Sequence, residues 1–369
     1  MSTEHRLLDR FGDRRLVRSL LSELRRVSDR PLRLMEVCGT HTMALFETGL
    51  RSQLAELDIE LVSGPGCPVC VTAQADLDHL LAVAARPDVT LCTFGDMLRV
   101  PGSAGSLEQL RAGGADIRVI YSPLDSLGIA AAETGRQVVF LAVGFETTVP
   151  AIACTAQAAA ERELDNYHIF DLHKTIPAAL AALAGSAELR LDGFICPGHV
   201  SVIIGARAYR PIAERHGKPC AITGFEPVDI LRGVLSLARQ VREGRAAVDN
   251  AYARVVRDEG NPVAREAAAA VFEPADALWR GLGSIPLSGL ALREEYRRLD
   301  ARQLVPDFEP PPPDPRLAAC RCGDVLLGKI HPPECACFGT DCTPDQPLGA
   351  CMVSQEGACR AYFRYHGAR

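Results

Sequence analysis

Short apolar runs followed by longer amphipathic segments recur along this chain, and that alternation restricts its fold more than any other feature. The runs Arg33–Val37, Ile59–Ser63, Val89–Phe94, Ile117–Tyr121, Val138–Val143, Tyr167–Phe170, Gly193–Cys196 and Cys220–Thr223 read as strands. Helical patterns follow most of them, for example Thr72–Ala85, Ser126–Glu133, Ile176–Leu183 and Val228–Val241. Strand, turn and helix in repetition mean an α/β protein with mainly parallel sheet. Ahead of the first strand, Leu16, Leu20, Leu21 and Leu24 recur at helical spacing, which predicts a lead-in helix over Arg14–Val27.

The phrases Val143-Gly-Phe-Glu-Thr and Thr223-Gly-Phe-Glu-Pro form a faint internal repeat. It predicts two similar Rossmann-like domains facing a cleft, with a (β/α) barrel as the rival fold. The expected division is a helical lead-in over 1–30, α/β domains over 31–148 and 149–245, and a C-terminal helical and cysteine-rich region over 246–369. Within that last region, Glu243–Ala270 is polar, Ala-rich and helical in pattern, and Pro310–Pro313 reads as a stiff linker.

A length of 369 residues allows two or three domains with proper cores. The net charge of -6, without any Lys/Arg run, argues against a nucleic-acid partner. Met1–Arg30 is dense in Arg, Asp and Glu and lacks the apolar stretch of a signal peptide. No apolar stretch is long enough to span a bilayer, so the expected location is the cytoplasm, without a membrane partner. There the 14 cysteines suggest metal ligands, redox chemistry or both.

The distinctive motifs follow the strands. Cys38-Gly-Thr-His41 comes after the first, Gly64-Pro-Gly-Cys-Pro-Val-Cys70 after the second, and Gly95-Asp96 with Arg99-Val-Pro-Gly102 after the third. Gly144-Phe-Glu-Thr-Thr148, Pro197-Gly-His-Val-Ser201 and Gly224-Phe-Glu-Pro227 also follow strands. Ligands of open parallel sheets bind outside the carboxyl ends of the strands, so these segments are expected to converge on one cleft.

Seven cysteines lie between Cys320 and Cys359. Among them Cys322, Cys335, Cys342 and Cys359 form C-x12-C-x6-C-x16-C, leaving Cys320, Cys337 and Cys351 over. Structural zinc sites usually offer two C-x2–4-C knuckles, which this spacing fits badly. Four scattered cysteines suit a [4Fe-4S] cluster better, with zinc or plain thiols as the alternatives. Cys67-Pro-Val-Cys70 is a C-x-x-C between a strand and a helix, which favours a redox pair over half a zinc knuckle. Cys38 with His41 one helical turn on is a soft-metal site, an activated nucleophile, or a buried Cys with a hydrogen-bonded His. His199, Glu146, Glu226 and Asp229 are candidates for proton transfer or for supporting a metal, although each is also an ordinary cap or structural hydrogen-bonding group. Cys92, Cys154, Cys196 and Cys220 read as core residues. The chain has no G-x-x-x-x-G-K-[ST] phosphate loop.

Taken in order, Met35-Glu-Val-Cys-Gly-Thr-His41, Gly64-Pro-Gly-Cys-Pro-Val-Cys-Val71, Cys92-Thr-Phe-Gly-Asp96, Arg99-Val-Pro-Gly102, Gly144-Phe-Glu-Thr-Thr148, Pro197-Gly-His-Val-Ser201, Gly224-Phe-Glu-Pro227 and the tail cysteines resemble the HypD family of hydrogenase maturation factors, from about Leu34 to Tyr365. The resemblance implies a role in building the Fe(CN)2CO unit of [NiFe]-hydrogenases. It implies a complex with a HypC-type chaperone, a HypE-type cyanide donor, and iron held between HypD and the chaperone. It also places one [4Fe-4S] cluster on Cys322, Cys335, Cys342 and Cys359, a redox thiol pair on Cys67 and Cys70, and the assembling Fe(II), carrying CN and CO, on Cys38. His41, Glu146, Thr147, Thr148 and His199 match other motif positions. Met43 stands where the family often has a second histidine. The resulting expectation is that the cluster reduces the Cys67–Cys70 disulfide and that the dithiol supports ligand attachment at iron on Cys38. The rival activities are a free-standing iron–sulfur-dependent thiol–disulfide oxidoreductase and a binding module with a structural zinc tail.

Overall fold

A computed structural model describes residues 13–186, 188–312 and 315–366. The start of the expected lead-in and the end of the proline run lie outside them.

Each of the eight expected strands forms: β1 Leu32–Glu36, β2 Ile59–Ser63, β3 Val89–Thr93, β4 Asp116–Val119, β5 Gln137–Ala142, β6 Tyr167–Asp171, β7 Gly193–Pro197 and β8 Cys220–Thr223. Strands flanked by helices on both faces need apolar residues throughout, and β3, β6, β7 and β8 are buried at every position. They assemble into two open parallel sheets, ordered β2-β1-β7-β8-β9 and β4-β3-β5-β6, where β9 is Val248–Asn250. The architecture is therefore Rossmann-like α/β, and neither parallel sheet closes into a barrel.

The sheets do not follow the expected division at residue 148. β1 pairs with β2 on one side and with β7 on the other, with Leu34 opposite both Leu61 and Gly193. The first sheet thus draws strands from both expected domains, while β3–β6 form the second. The chain crosses between sheets twice, after β2 and again after β6. The internal repeat still falls once in each sheet, after β5 and after β8.

The lead-in helix spans Arg14–Val27, and Asp13 caps it by accepting the Arg15 N–H. Its buried face, Leu20, Leu24 and Val27, packs with Leu231, Val234 and Ala238 of the helix Pro227–Arg242. Each buried leucine of this kind contributes about 1.5–3 kcal/mol.

Three strands were not foreseen: β9, at the edge of the first sheet, and two that pair with each other. β10 Phe272–Trp279 and β11 Gly283–Leu292 make an antiparallel hairpin. Arg280 N–H donates to the Val71 carbonyl at 2.8 Å, tying the hairpin to the C-x-x-C helix. The hairpin turn also carries Gly281, at φ +80°, against Gly323: a Cβ on Gly281 would lie 2.1 Å from the Gly323 Cα, so only paired glycines let the tail dock there. Of the expected Glu243–Ala270 helix, the structure keeps only Pro262–Val271, with β9 and turns before it. Among the described residues, no helix is long and apolar enough to cross a membrane.

Candidate thiol and metal centre

In an open parallel sheet the binding crevice lies where the strand order reverses. In the first sheet that point is between β1 and β7, and the residues following those strands are Cys38 and His199. Cys38 Sγ lies 3.9 Å from His199 Nδ1. In the second sheet the reversal is between β3 and β5, which places the Gly95-Asp96 and Gly144–Thr148 segments there.

Cys38 stands at the N-terminus of the helix Gly39–Glu47, and its own N–H donates to Glu36 Oε2 at 3.2 Å. The second motif is pressed against it. Gly39 N–H donates to the Gly66 carbonyl at 3.1 Å. A Cβ on Gly66 would lie 2.1 Å from the Cys38 nitrogen, which explains the glycine. Burial pushes the Cys38 thiol up to about 12 and holds His41 and His199 down to about 4. At neutral pH the cleft therefore presents a protonated thiol beside a neutral imidazole. A soft metal that displaces the thiol proton would find a thiolate and an imidazole nitrogen together.

His41 does not partner Cys38 through its ring, as its place in sequence suggested. Its Nε2 is 3.0 Å from the Gly224 carbonyl and 2.8 Å from Thr223 Oγ1. Because the carbonyl only accepts, Nε2 carries the proton. Nδ1 is buried without a partner. The imidazole beside Cys38 is His199, in the first turn of the helix Gly198–Ile204 that follows β7. Phe225 packs against both rings, at centroid distances of 4.8 Å from His41 and 5.5 Å from His199.

Glu146 is buried elsewhere. Its Oε1 accepts the Ile176 N–H at 3.0 Å at the start of the helix Ile176–Ala184, and burial raises it to about 7. Asp229 is fully buried in a bidentate pair with Arg254, at 2.8 and 2.5 Å, which is a structural role. Glu226 stands at the N-cap of Pro227–Arg242 without a side-chain capping bond. Cys92, Cys196 and Cys220 are buried as expected, whereas Cys154 is exposed because its helix turns that face to solvent.

Cys67 and Cys70 are joined as a disulfide on the first crossover between the sheets. Cys67 caps the short helix Pro68–Val71, and its Sγ accepts the Cys70 N–H at 3.2 Å. Cys70 Sγ lies 4.0 Å from the Ala350 carbonyl. The next residue, Cys351, lines a cavity in the tail.

That cavity gathers Cys322, Cys335, Cys342 and Cys359 together with Cys320, Cys337 and Cys351, against Val325, Phe338 and Met352. Cys322 Sγ is 2.9 Å from Cys351 Sγ. Hydrogen bonding with the Cys320 and Cys351 thiols holds Cys322 well below the usual thiol range. Among the described residues, no three His, Cys, Asp or Glu side chains are arranged to hold a single metal ion. The thiols instead ring a cavity. Four cysteines around an enclosed, largely apolar space are the donor set a [4Fe-4S] cluster takes. The geometry brings together the four expected ligands without setting them apart from the other three.

One residue escaped the sequence reading. Thr40 Oγ1 donates to Glu356 Oε1 at 2.8 Å, and a Cβ on Gly39 would lie 2.4 Å from the Glu356 Cβ. The loop before Cys359 is therefore packed on the Cys38 turn. Its only sequence signal is its position three residues before Cys359.

A two-sheet α/β protein with a buried Cys–His pair, a neighbouring disulfide and a seven-cysteine tail is the class these features define. The profile of HypD, described as the hydrogenase formation hypA family, matches residues 15–366. The chain is 48% identical to hydrogenase maturation factor HypD of Rhodobacter capsulatus, covering 97% of this chain and 98% of that protein. It is 45% identical to hydrogenase maturation factor HypD of Escherichia coli (strain K12), covering 95% and 93%. The chain belongs to the HypD family of hydrogenase maturation factors.

Proposed function

We propose that this maturation factor is the scaffold on which the Fe(CN)2CO unit of a [NiFe]-hydrogenase is assembled, working with a HypC-type chaperone and receiving cyanide from a HypE-type donor. The observation that carries the reading is one continuous contact series. Cys38 lies against Gly66, the Cys67–Cys70 disulfide follows Gly66, and Cys70 lies 4.0 Å from the carbonyl of Ala350, which stands between Gly349 and Cys351 of the tail cavity's lining.

Iron is the cargo here. Cys38 supplies a thiolate to it, His199 supports that thiolate from 3.9 Å, and the chaperone completes the coordination. Cys322, Cys335, Cys342 and Cys359 would hold a resident [4Fe-4S] cluster, which supplies single electrons. Two electrons and two protons break the Cys67–Cys70 bond and leave two thiols beside the cargo site.

A free-standing thiol–disulfide oxidoreductase needs a disulfide that external thiols reach. Cys67 and Cys70 are only 3% and 0% exposed, which disfavours that activity.

The test is anaerobic purification with and without the chaperone, followed by iron and zinc analysis and infrared spectroscopy. About four irons alone, rising to about five with cyanide and carbonyl stretches when the chaperone is present, are expected. Zinc in place of iron, or a full cluster without the added iron and its bands, would contradict the proposal.

A further inference from the structure

Trp279 ends β10 and Arg280 opens the hairpin turn, and the two stand between the sulfur sites. Toward the disulfide, Trp279 bridges to Thr72, Arg280 N–H donates to the Val71 carbonyl at 2.8 Å, and Arg280 Nε donates to the Thr72 carbonyl at 2.9 Å. Val71 and Thr72 directly follow Cys70. Toward the tail, Gly281 is pressed on Gly323, the residue after Cys322 of the tail cavity. Arg280 is thus one residue from the disulfide side and one from the tail side, and its charge acts on Cys322.

The seat is fixed by packing. Trp279 is 2% exposed, its Nε1 donates to Ser288 Oγ at 2.7 Å, and Phe145 stacks on its ring at 6.3 Å. The backbone that carries Arg280 is therefore held on both faces.

The guanidinium in that seat lacks a counter-charge. Arg280 is half-buried, its Nη2 is buried with no hydrogen-bond partner, and no carboxylate among the described residues pairs with it. Nearby cations of the tail are answered: Arg321 lies 2.9 Å from Asp324, and Lys329 lies 2.8 Å from Glu188. A cation withdrawn from water without a partner is costly, and negative charge on neighbouring sulfur offsets that cost. The same attraction favours any electron that arrives at the tail thiolates, since each one adds negative charge there.

We infer that Arg280 is a positioning residue for the tail centre: its uncompensated charge favours the reduced state of the group held there, while its bonds to Val71 and Thr72 keep the C-x-x-C helix beside that charge. The inference rests on the tail cavity holding the [4Fe-4S] cluster. The electron comes from an external one-electron donor, which is oxidised, and no bond to Arg280 forms or breaks.

The experiment titrates the full anaerobic chain with dithionite at poised potentials, follows the reduced centre by electron paramagnetic resonance, and counts iron. Arg280→Met should keep about four irons and lower the ratio of reduced to oxidised centre at a fixed potential about tenfold, equivalent to about 59 mV. Arg280→Lys, which keeps the charge, should stay within about threefold of the wild type. Arg280→Gln keeps a donor for the Thr72 carbonyl without the charge, and should match Arg280→Met. Trp279 is the chain's only tryptophan, so its emission shows whether the hairpin stays seated. Arg280→Gln keeps the test decisive where Arg280→Met unseats it. Full iron with an unmoved potential in Arg280→Gln, or a fall in Arg280→Lys equal to that in Arg280→Gln, would overturn the inference alone. A wild-type chain without iron would overturn the cluster reading and the inference with it.

Discussion

The Cys38 cleft and the tail cavity both bury sulfur, and they are held in different ways. In the cleft, every chemical group follows a parallel strand: Cys38 follows β1, His199 follows β7 and Gly224 follows β8. Strand register fixes their separation before anything is bound. In the tail, Cys322–Leu326 and Ala350–Val353 are helices of five and four residues, Cys359 stands in the first turn of the helix Ala358–His366, turns join these pieces, and the cysteines themselves make much of the cavity wall. A region with so little regular structure takes its order from what it encloses and from docking on the sheets. The cleft is suited to cargo that comes and goes, and the tail to a group that stays.

The largest test of that contrast is in the tail. Cys335→Ala should lose about four irons per chain and lower the melting temperature, measured anaerobically by iron analysis and calorimetry. Cys337→Ala should keep both. Equal loss in the two variants would break the assignment of ligands.

The cleft should respond differently. His199→Ala should weaken cargo iron in the chaperone complex about tenfold and leave tail iron unchanged. A fall in tail iron would show that the two regions are not separable.

Gly66→Ala forces a Cβ to 2.1 Å from the Cys38 nitrogen. The expected cost is about 1–3 kcal/mol in urea unfolding. An unchanged midpoint would mean that the two motif loops are not pressed together.

The smallest effect is in pH dependence. His41 and His199, lowered to about 4, favour the folded state more as pH rises toward 6.5, because the unfolded chain holds the extra protons. Glu36 and Glu146, raised to about 7, act in the opposite sense from 4.5 upward, because the folded chain holds the protons. Burial lowers His79 and His168 as well, so the histidines outweigh the two glutamates and stability rises with pH between about pH 4.5 and 6.5. Glu146→Gln removes one opposing group, so that rise should steepen by about one proton's slope across the window. An unchanged slope in the variant would contradict the burial argument for Glu146.

Much of this was legible in the sequence, for physical reasons. Strands buried on both faces are continuous apolar runs, so β3, β6, β7 and β8 could be read from their residues alone, while the half-buried edge strand β4 was read from the apolar residues Ile117, Val119 and Ile120. The hairpin was not legible. β10 carries Glu273, Pro274 and Asp276 and is exposed over much of its length, so it leaves no apolar run. Sheet partnership was also hidden, since nothing in Leu32–Glu36 says that it lies beside Gly193–Pro197. The Cys38–His41 pairing failed for the same reason. Nearness in sequence suggested it, while the strand order brought in His199 from 161 positions away. The tail cysteines were conspicuous by spacing, but Glu356 became visible only once the tail was folded back onto Thr40.

The most direct test of the central claim is Cys38→Ala in the anaerobic chaperone complex, measured by iron content and infrared spectrum. The account predicts tail iron unchanged at about four per chain, with the cargo iron and its cyanide and carbonyl stretches lost. Stretches persisting at wild-type intensity would contradict it, because the cargo would then be held without the thiol at the sheet's reversal point.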